Sequence, residues 1–162
     1  ANDAEEIISR RVLDLTNEYR ASQHLRPCKW HSRMAKAAQE RATQMAMGTI
    51  PYSHEGLHVH VAAFPLVHCG LAENLCHCWC ATDVAAFTVT GWMESPQHNQ
   101  QLLGRFNRCS VGTARALDGT FYIVQLFVQA ASALMVVLVV LAAVATLGSL
   151  TLIAMLMGPR RP

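Results

Sequence analysis

The sequence predicts an α+β globular domain followed by a single transmembrane helix. Three observations lead to this fold class: apolar residues recur at helical spacing before Gly48, apolar and polar residues alternate after Cys109, and no charged side chain occurs from Phe121 to Gly158. A chain of 162 residues has room for one ordinary domain and a small appendage. We therefore expect one folded domain and place the appendage at the C-terminal end.

The uncharged C-terminal run predicts the membrane span. Residues 130–157 are almost wholly Ala, Val, Leu, Met and Ile with small polar types, and the run exceeds the roughly 20 residues that a helix needs to cross a bilayer. The alternative is a buried core helix, but such helices are usually shorter and keep a polar stripe. We expect residues 1–128 to form the domain, 129–158 the transmembrane helix and 159–162 a short basic tail.

Charges beside the span predict its orientation. Arg160 and Arg161 follow the span directly, so the positive-inside rule places the tail on the cytosolic, stromal or matrix side. The domain is then expected on the extracytoplasmic, lumenal or intermembrane side. Without these two arginines, the 13 Lys and Arg residues fall to 11 and balance the 11 Asp and Glu residues. The domain is therefore near neutral and offers no basic field for nucleic acid.

Local patterns predict the elements of the domain. Caps, helical spacing and terminal glycines indicate the helices, and alternating runs around Asp118-Gly119 are a strong hairpin signal. Residues 49–81 lose periodicity, and we expect a long irregular segment there. The predicted elements are helices over residues 2–23, over residues 32–48 and from Thr82 or Asp83 to Ser95, and strands over residues 110–116 and 120–127.

Six cysteines form an even set in a domain predicted to lie outside the reducing compartment, which predicts disulfides. They are Cys28, Cys69, Cys76, Cys78, Cys80 and Cys109. The sequence does not choose among the possible pairings. The run Cys76-His77-Cys78-Trp79-Cys80 has no Cys-x-x-Cys pair and no second cluster at zinc-finger spacing. Cross-linking of the irregular segment is therefore favoured over a dedicated metal site.

Several short blocks follow one another in a distinctive order along the domain. They are Val12 to Arg20, Lys29-Trp30, Tyr52-Ser53-His54, Ala72-Glu73-Asn74-Leu75, Gly91 to His98, Val111-Gly112, and Tyr122 to Phe127. In this order the blocks resemble the CAP (SCP/PR-1-like) family of cysteine-rich secretory, antigen 5 and pathogenesis-related 1 proteins, in its bacterial-type branch. The resemblance covers roughly residues 7–127, and no single block carries it.

The resemblance implies an α-β-α sandwich with a shallow cleft, lined by two histidines and two acidic residues. The matching residues here are His54, Glu73 and His98. Two imidazoles and a carboxylate suit a divalent metal such as zinc, and they equally suit a hydrogen-bonded network that pins the irregular segment; the cofactor stays unknown. His68 is the runner-up for the first histidine. Glu94 is the runner-up for the second acid, because Ser95 stands where many members have glutamate.

The resemblance implies mostly non-enzymatic roles, such as binding lipids, sterols or protein partners. Ser53 beside His54, and Ser95 near His98, place a nucleophile next to a base in the sequence. Neither pair has the glycine elbow or oxyanion hole of a hydrolase. We therefore assign no catalytic residue, and a hydrolase is the least favoured function.

Two functions are expected for a membrane-anchored domain of this kind. In the first, it is a binding or architectural module and an accessory subunit of a larger membrane protein complex. In the second, it binds a lipid, sterol or metal and acts alone at the membrane surface. Small residues at helical spacing let transmembrane helices approach closely, and Ala142, Ala145 and Ser149 have this spacing. This face favours the first function.

Overall fold

The domain is built from α-helices and antiparallel strands. The computed structural model describes residues 3–58, 68–79, 82–131, 137, 138 and 141, with the backbone alone for His68 and Cys69. In chain order the elements are helix α1 (Asp3–Ser22), helix α2 (Ser32–Ala46), strand β1 (His68–Cys78), helix α3 (Val84–Glu94), helix α4 (Pro96–Leu102), strand β2 (Arg108–Arg115) and strand β3 (Phe121–Ala130). All of them belong to one unit of the chain, residues 1–130.

Strand β3 lies at the centre of the sheet. The order is β1-β3-β2, and both pairings are antiparallel. Strands β2 and β3 form the predicted hairpin, in which Gly119 has φ +91, a conformation that glycine adopts without steric cost. The Asp118 carboxylate accepts a hydrogen bond from the Thr120 amide at 2.9 Å. The hairpin prediction is confirmed, with strand ends within about three residues of those expected.

Helices cover both faces of the sheet. Residues on alternate positions of a strand point to opposite faces, and β3 follows this rule. Ile123 and Phe127 pack with α1 and α3 in one buried cluster, whereas Val124 and Leu126 pack under α2 in the other. The three predicted helices are confirmed, and the described elements form the α-β-α layering.

Strand β1 corrects the prediction that residues 49–81 are irregular throughout. This segment of 11 residues pairs with β3 along most of its length. Its alternation was not visible in the sequence because Glu73 and Asn74 are polar and yet buried at adjacent positions. Since both faces of β1 are covered in this region, the usual contrast between a buried face and a solvated face is lost.

A buried arginine fixes the segment that follows α4. The Arg20 guanidinium is 2% exposed and donates to the carbonyl oxygens of Leu102 at 2.6 Å, Gly104 at 3.0 Å and Phe106 at 3.2 Å. The last carbonyls of a helix have no partner within the helix, so the guanidinium satisfies groups that would otherwise be buried without a donor. It thereby ties the end of α4 to α1.

The second unit of the chain comprises residues 131–162. Across the residues that the structure describes, no helix combines the length and apolar character needed to cross a membrane. The predicted span at residues 129–158 and the tail at 159–162 lie largely outside the described residues. The transmembrane helix therefore stays a prediction.

Helix α2 lies directly on β2 at Gly112. A Cβ atom at this position would stand 2.2 Å from the carbonyl carbon of Ala38 and 2.3 Å from the amide nitrogen of Gln39. Both contacts are with backbone, which cannot swing aside as a side chain can. Ala38 and Ala42 of α2 are fully buried.

Substituting Gly112 by alanine should destabilise the domain by about 2–3 kcal/mol or more, because overpacking forces the backbone of α2 away from the sheet. Urea unfolding of the detergent-solubilised chain, followed by tryptophan fluorescence, measures the change. The matched control is Gly91→Ala in α3, where a Cβ meets nothing within 4 Å and the variant should gain about 0.5–1 kcal/mol. An unchanged unfolding midpoint for Gly112→Ala would contradict this close approach.

Candidate functional site

The three predicted cleft residues meet at the edge of β1. His54 comes from the segment after α2, Glu73 from β1 and His98 from α4, and together they line an open cavity of about 340 Å³. The other lining residues are Leu57, Asn74, Gln97, Gln100 and Gln101. Residues far apart in the sequence therefore share one cleft, and Glu73 and Asn74 form its floor.

The Glu73 carboxylate is held on both oxygens. Arg41 Nε donates to Oε1 at 2.7 Å, and His54 Nδ1 lies 2.8 Å from Oε2. Side chains of Arg41 and Glu73 are 3% and 1% exposed, whereas that of His54 is 59% exposed. An ionised carboxylate only accepts hydrogen bonds, so the His54 proton is assigned to Nδ1. Charge-assisted bonds of this kind are stronger than neutral ones, and we call this arrangement the Glu73 clasp.

Arg41 also fixes the segment that carries His54. Its Nη2 atom donates to the carbonyl oxygens of Ser53 at 2.7 Å and Glu55 at 2.9 Å. The backbone on both sides of His54 is thus tied to α2. A segment without regular structure needs such partners for its backbone polar groups, and Arg41 supplies them from inside the domain.

Tyr52 anchors the same segment on its other side. Its ring packs edge-on against His77 with 4.6 Å between ring centroids, and lies 6.1 Å from the Tyr122 ring. Burial raises the pKa of Tyr52 to about 12, with further contributions from Cys76, Glu73 and Tyr122. The phenol therefore stays neutral at physiological pH.

His98 owes its position to the break between α3 and α4. Pro96 occupies the first turn of α4, where its fixed φ and missing N–H are tolerated, so the chain turns and starts a new helix. The His98 ring lies 6.5 Å from the Trp92 ring. Burial, and after it the charge of His54, lowers the pKa of His98 below its ordinary value of 6.5. The imidazole is therefore neutral at pH 7.

A chain of buried amides runs from the cleft floor to α1. Asn74 Nδ2 donates to the His98 carbonyl and to Gln125 Oε1, each at 3.3 Å, and Gln125 Nε2 donates to Thr16 Oγ1 at 2.9 Å. Asn74, Gln125 and Thr16 are fully buried. Asn74 Oδ1 has no hydrogen-bond partner among the described residues. A buried acceptor in this state is costly.

The cleft does not present a metal centre. Within the part of the chain that the structure describes, no group of three or more His, Cys, Asp and Glu side chains is arranged to hold a metal ion. Each Glu73 oxygen already makes one contact in the clasp, and the side chain is 1% exposed. The hydrogen-bonded network is therefore the arrangement that the described residues support.

The serines near the two histidines do not form a nucleophile–base pair. Ser53 Oγ accepts a bond from the Glu55 amide at 3.3 Å, and Ser95 caps α4 without a side-chain hydrogen bond. Over the described ranges, neither hydroxyl is hydrogen-bonded to a histidine nitrogen. The arrangement that activates a serine, a base within hydrogen-bond reach, is therefore not seen there.

The remaining predicted residues contribute less to the cleft. Glu94 is exposed at the end of α3 and does not line the cavity. His68 begins β1 opposite Ala130, and its side chain lies outside the description. The predicted helix-packing residues Ala142, Ala145 and Ser149 also lie outside the described residues.

No disulfide joins the cysteines whose side chains the structure describes, which are Cys28, Cys76, Cys78 and Cys109. The prediction that they form disulfides is therefore not supported for these four. Cys28 Sγ donates to the Phe106 carbonyl at 3.4 Å, and Cys76 Sγ accepts from Thr88 Oγ1 at 3.6 Å. Burial raises the pKa of the Cys28 and Cys76 thiols, and raises that of Cys109 well above its ordinary value. The side chain of Cys69 and the whole of Cys80 lie outside the description.

A family model decides the relationship of this chain to known proteins. Residues 13–127, well over half of the chain, match the model described as CAP, the cysteine-rich secretory protein family. The chain belongs to the CAP family. The resemblance of the ordered sequence blocks to the CAP family is thereby confirmed. A search of curated protein sequences gives no match.

Solved structures share the CAP fold with this chain at low sequence identity. An extracellular protein containing an SCP domain from Bacillus anthracis str. Ames is 21% identical with a TM-score of 0.66, over 77% of this chain and 41% of that one. A cysteine-rich secretory protein from Staphylococcus aureus subsp. aureus Mu50 is 20% identical with a TM-score of 0.63, over 80% and 40%. This chain thus spans about two fifths of either protein.

A third solved structure matches over nearly its whole length. The outer surface protein from Borrelia burgdorferi is 16% identical with a TM-score of 0.67, over 81% of this chain and 96% of that one. At these identities the likeness shows the fold alone. It supports the α+β CAP architecture of the domain.

Sequence reasoning missed Arg41, Asn74 and Gln125. Arg41 lies on the buried stripe of α2, three residues after Ala38 and four before Met45, so its spacing marked a buried cation that needed a partner. Gln125 sits within an otherwise apolar strand run, which is a similar signal. Asn74 was part of a recognised block, but nothing in the sequence indicated its bond to Gln125.

The Glu73 clasp predicts strong coupling between Arg41 and Glu73. Replacing either partner alone, as in Arg41→Met or Glu73→Leu, should cost about 3–5 kcal/mol because the other charge stays buried without its counter-ion. The double variant should cost less than the sum, with a coupling of about 2–3 kcal/mol, measured by urea unfolding. Arg11→Ala breaks the exposed pair with Glu18 and should change stability by less than about 0.5 kcal/mol. Additive single losses at Arg41 and Glu73 would refute the clasp.

The lowered pKa of His98 predicts a stability that depends on pH. The folded state binds this proton less readily than the unfolded chain, so the contribution is complete above the ordinary value of 6.5 and is lost as the pH falls through the lowered pKa. An NMR titration of the histidine rings measures it. In His54→Gln the pKa of His98 should rise but stay below its ordinary value, because burial is the larger cause. A pKa of His98 that does not move in this variant would show that the two rings do not interact.

Proposed function

We propose that this CAP domain is a non-catalytic binding or architectural module, held to a bilayer by its C-terminal helix as an accessory subunit of a larger membrane protein complex. One observation carries the non-catalytic part: among the described residues that line the cleft, Glu73 is the one carboxylate, its side chain is 1% exposed, and its oxygens accept from Arg41 at 2.7 Å and lie 2.8 Å from His54. A general base must lie within hydrogen-bond reach of the substrate proton, and a carboxylate with so little exposed surface is poorly accessible to a substrate. The CAP family is also typically non-enzymatic.

The apolar C-terminal run supports the bilayer anchor. No charge occurs in residues 131–157, which follow β3, and the length of this run suits a tilted helix across the hydrocarbon. Of this run the structure describes Leu138 and Leu141 in helical conformation, and they are 57% and 59% exposed. Exposed leucines at helical spacing are well suited to contact with lipid.

The names of similar proteins and the flanking charges support one orientation. The similar proteins from Bacillus anthracis and Borrelia burgdorferi are named an extracellular protein and an outer surface protein. Arg160 and Arg161 favour the cytosolic, stromal or matrix side for the tail. We therefore place the CAP domain on the extracytoplasmic, lumenal or intermembrane side.

Small residues of the apolar run support the subunit role. Ala142, Ala145 and Ser149 are spaced to share one face of a helix, and small faces allow close packing with other transmembrane helices. A helix that only anchors has no need of such a face, because leucine suits lipid equally well. The alternative function, a lipid-, sterol- or metal-binding protein that acts alone, requires no partner helix.

Replacing Ala145 and Ser149 together by leucine should leave the chain in the membrane but release it from its partners. Alkaline carbonate extraction measures insertion, and native electrophoresis in mild detergent measures co-migration. The matched control is Ala143→Leu with Thr151→Leu, which adds leucines on the opposite side of a helix with about 3.6 residues per turn. Co-migration of the Ala145/Ser149 variant like that of the wild type would defeat the subunit role, and carbonate extraction of the wild type would defeat the anchor.

A further inference from the structure

Strand β1 has an edge that faces the cleft. It pairs with β3 on one side, and no other described strand pairs with its second side. In an antiparallel pair, residues alternate between those that exchange both backbone hydrogen bonds with the neighbour and those whose N–H and C=O point away from it. Which residues of β1 point toward the cleft therefore follows from the register.

The hairpin fixes this alternation. The amides of Cys109, Thr113 and Arg115 bond to Lys29, Gln39 and Glu5 outside the sheet, so these odd-numbered residues of β2 point away from β3. Their partners in β3, also odd-numbered, must then bond to β1. Those partners lie opposite even-numbered residues of β1, such as Cys76. The odd-numbered residues of β1, including Glu73 and Leu75, therefore direct their backbone groups away from the sheet.

The Trp92 side chain gives an independent check of this assignment. Its indole Nε1 donates to the Leu75 carbonyl at 3.0 Å, which requires that this carbonyl points away from β3. On the same edge, the N–H and C=O of Glu73 and the N–H of Leu75 have no hydrogen-bond partner among the described residues. Glu73 lines the cleft, so its N–H and C=O lie at the floor, whereas Leu75 is 4% exposed and does not line the cleft.

At the opposite edge of the sheet, the backbone groups of β2 that point away from β3 have hydrogen-bond partners. On β2, the Gln39 amide side chain accepts from the Thr113 N–H at 3.2 Å and donates to its carbonyl at 2.7 Å, as a neighbouring strand would do. The Lys29 carbonyl accepts from the Cys109 N–H, and the Glu5 carboxylate accepts from the Arg115 N–H. Proteins usually cover or block an exposed strand edge because it templates pairing with another chain. The uncovered edge at Glu73 is the exception within the described sheet.

The cleft lining favours a neutral ligand that forms many hydrogen bonds. Arg41 offsets the charge of Glu73 inside the clasp, and apart from the two histidines the other described lining residues are uncharged, so the lining offers no permanent positive charge to select a phosphate or carboxylate. Gln97, Gln100 and Gln101 line one side, and their amides both donate and accept. The buried Asn74 lines the floor, and its Oδ1 lacks a described donor. These groups complement peptide amides.

We propose that the cleft binds an extended peptide segment, which adds to the edge of β1 at Glu73, where no described strand pairs with β1. Main-chain hydrogen bonds to the strand edge supply affinity in this mode, and the glutamine side chains of α4 bond the outer edge of the peptide. The proposal rests on the proposed function of the domain as a binding module and names its ligand class.

Photo-crosslinking with peptide libraries tests the proposal on the full chain in mild detergent. The probe is a library of blocked pentapeptide amides with a central benzoylphenylalanine, and its counterpart is the same library methylated on every peptide nitrogen. We expect crosslinks at residues 97–101 and at His54, at least about tenfold stronger for the unmethylated library, because methylation removes the donors that pair with the edge. Hydrogen exchange read at single residues should show the Glu73 amide slowing when the library is added.

Two variants map the site without touching the clasp. Gln97→Trp with Gln100→Trp fills the cleft from exposed positions and should abolish the crosslinks. Gln23→Trp changes an exposed glutamine outside the cleft and should leave them unchanged.

Three results would overturn the peptide site: equal labelling by the two libraries, labelling confined to other surfaces, or a Glu73 amide already protected before the library is added. Membrane insertion and co-migration with partners do not depend on this experiment, so its failure is distinguishable from failure of the proposed function.

Discussion

The arrangement of the cleft depends on one buried negative charge, the Glu73 carboxylate. A carboxylate that is 1% exposed is tolerated only when it is paired and hydrogen-bonded. Arg41 and His54 meet this need, and in doing so they connect α2, β1 and the segment around residue 54. The same contacts that stabilise the segment keep the carboxylate buried, where a substrate or a metal ion has little access to it.

Two buried arginines position the two histidines. Arg41 holds the carbonyls on either side of His54, and Arg20 holds the carbonyls that follow α4, the helix that carries His98. Both guanidiniums reach irregular backbone from within a helix, where their several donors fit diverging carbonyls in a way that a lysine ammonium cannot. The two sides of the cleft are thus fixed independently, and the sheet edge between them forms the floor.

Local periodicity was enough to predict α1, α2, α3 and the closing hairpin, because each buries one face and shows the corresponding repeat. It failed for β1, where polar Glu73 and Asn74 are buried on opposite faces. It also failed for α4, whose seven residues are too few for a helical repeat. Ordered sequence blocks gave His54, Glu73 and His98. Arg41 and Gln125 stayed hidden because their partners lie 32 and 51 residues away in the chain, and no short-range pattern encodes such contacts.

The way the domain uses its polar groups limits what it can do. The charged groups of the clasp bond to one another, and burial raises the pKa of the described thiols Cys28, Cys76 and Cys109, so these cysteines are weak nucleophiles at neutral pH. Few reactive side chains among the described residues are then left to contact a ligand. What the cleft still offers is backbone at a strand edge and neutral amide side chains. Such groups recognise the conformation of a partner rather than transform it, which is the behaviour of a binding module.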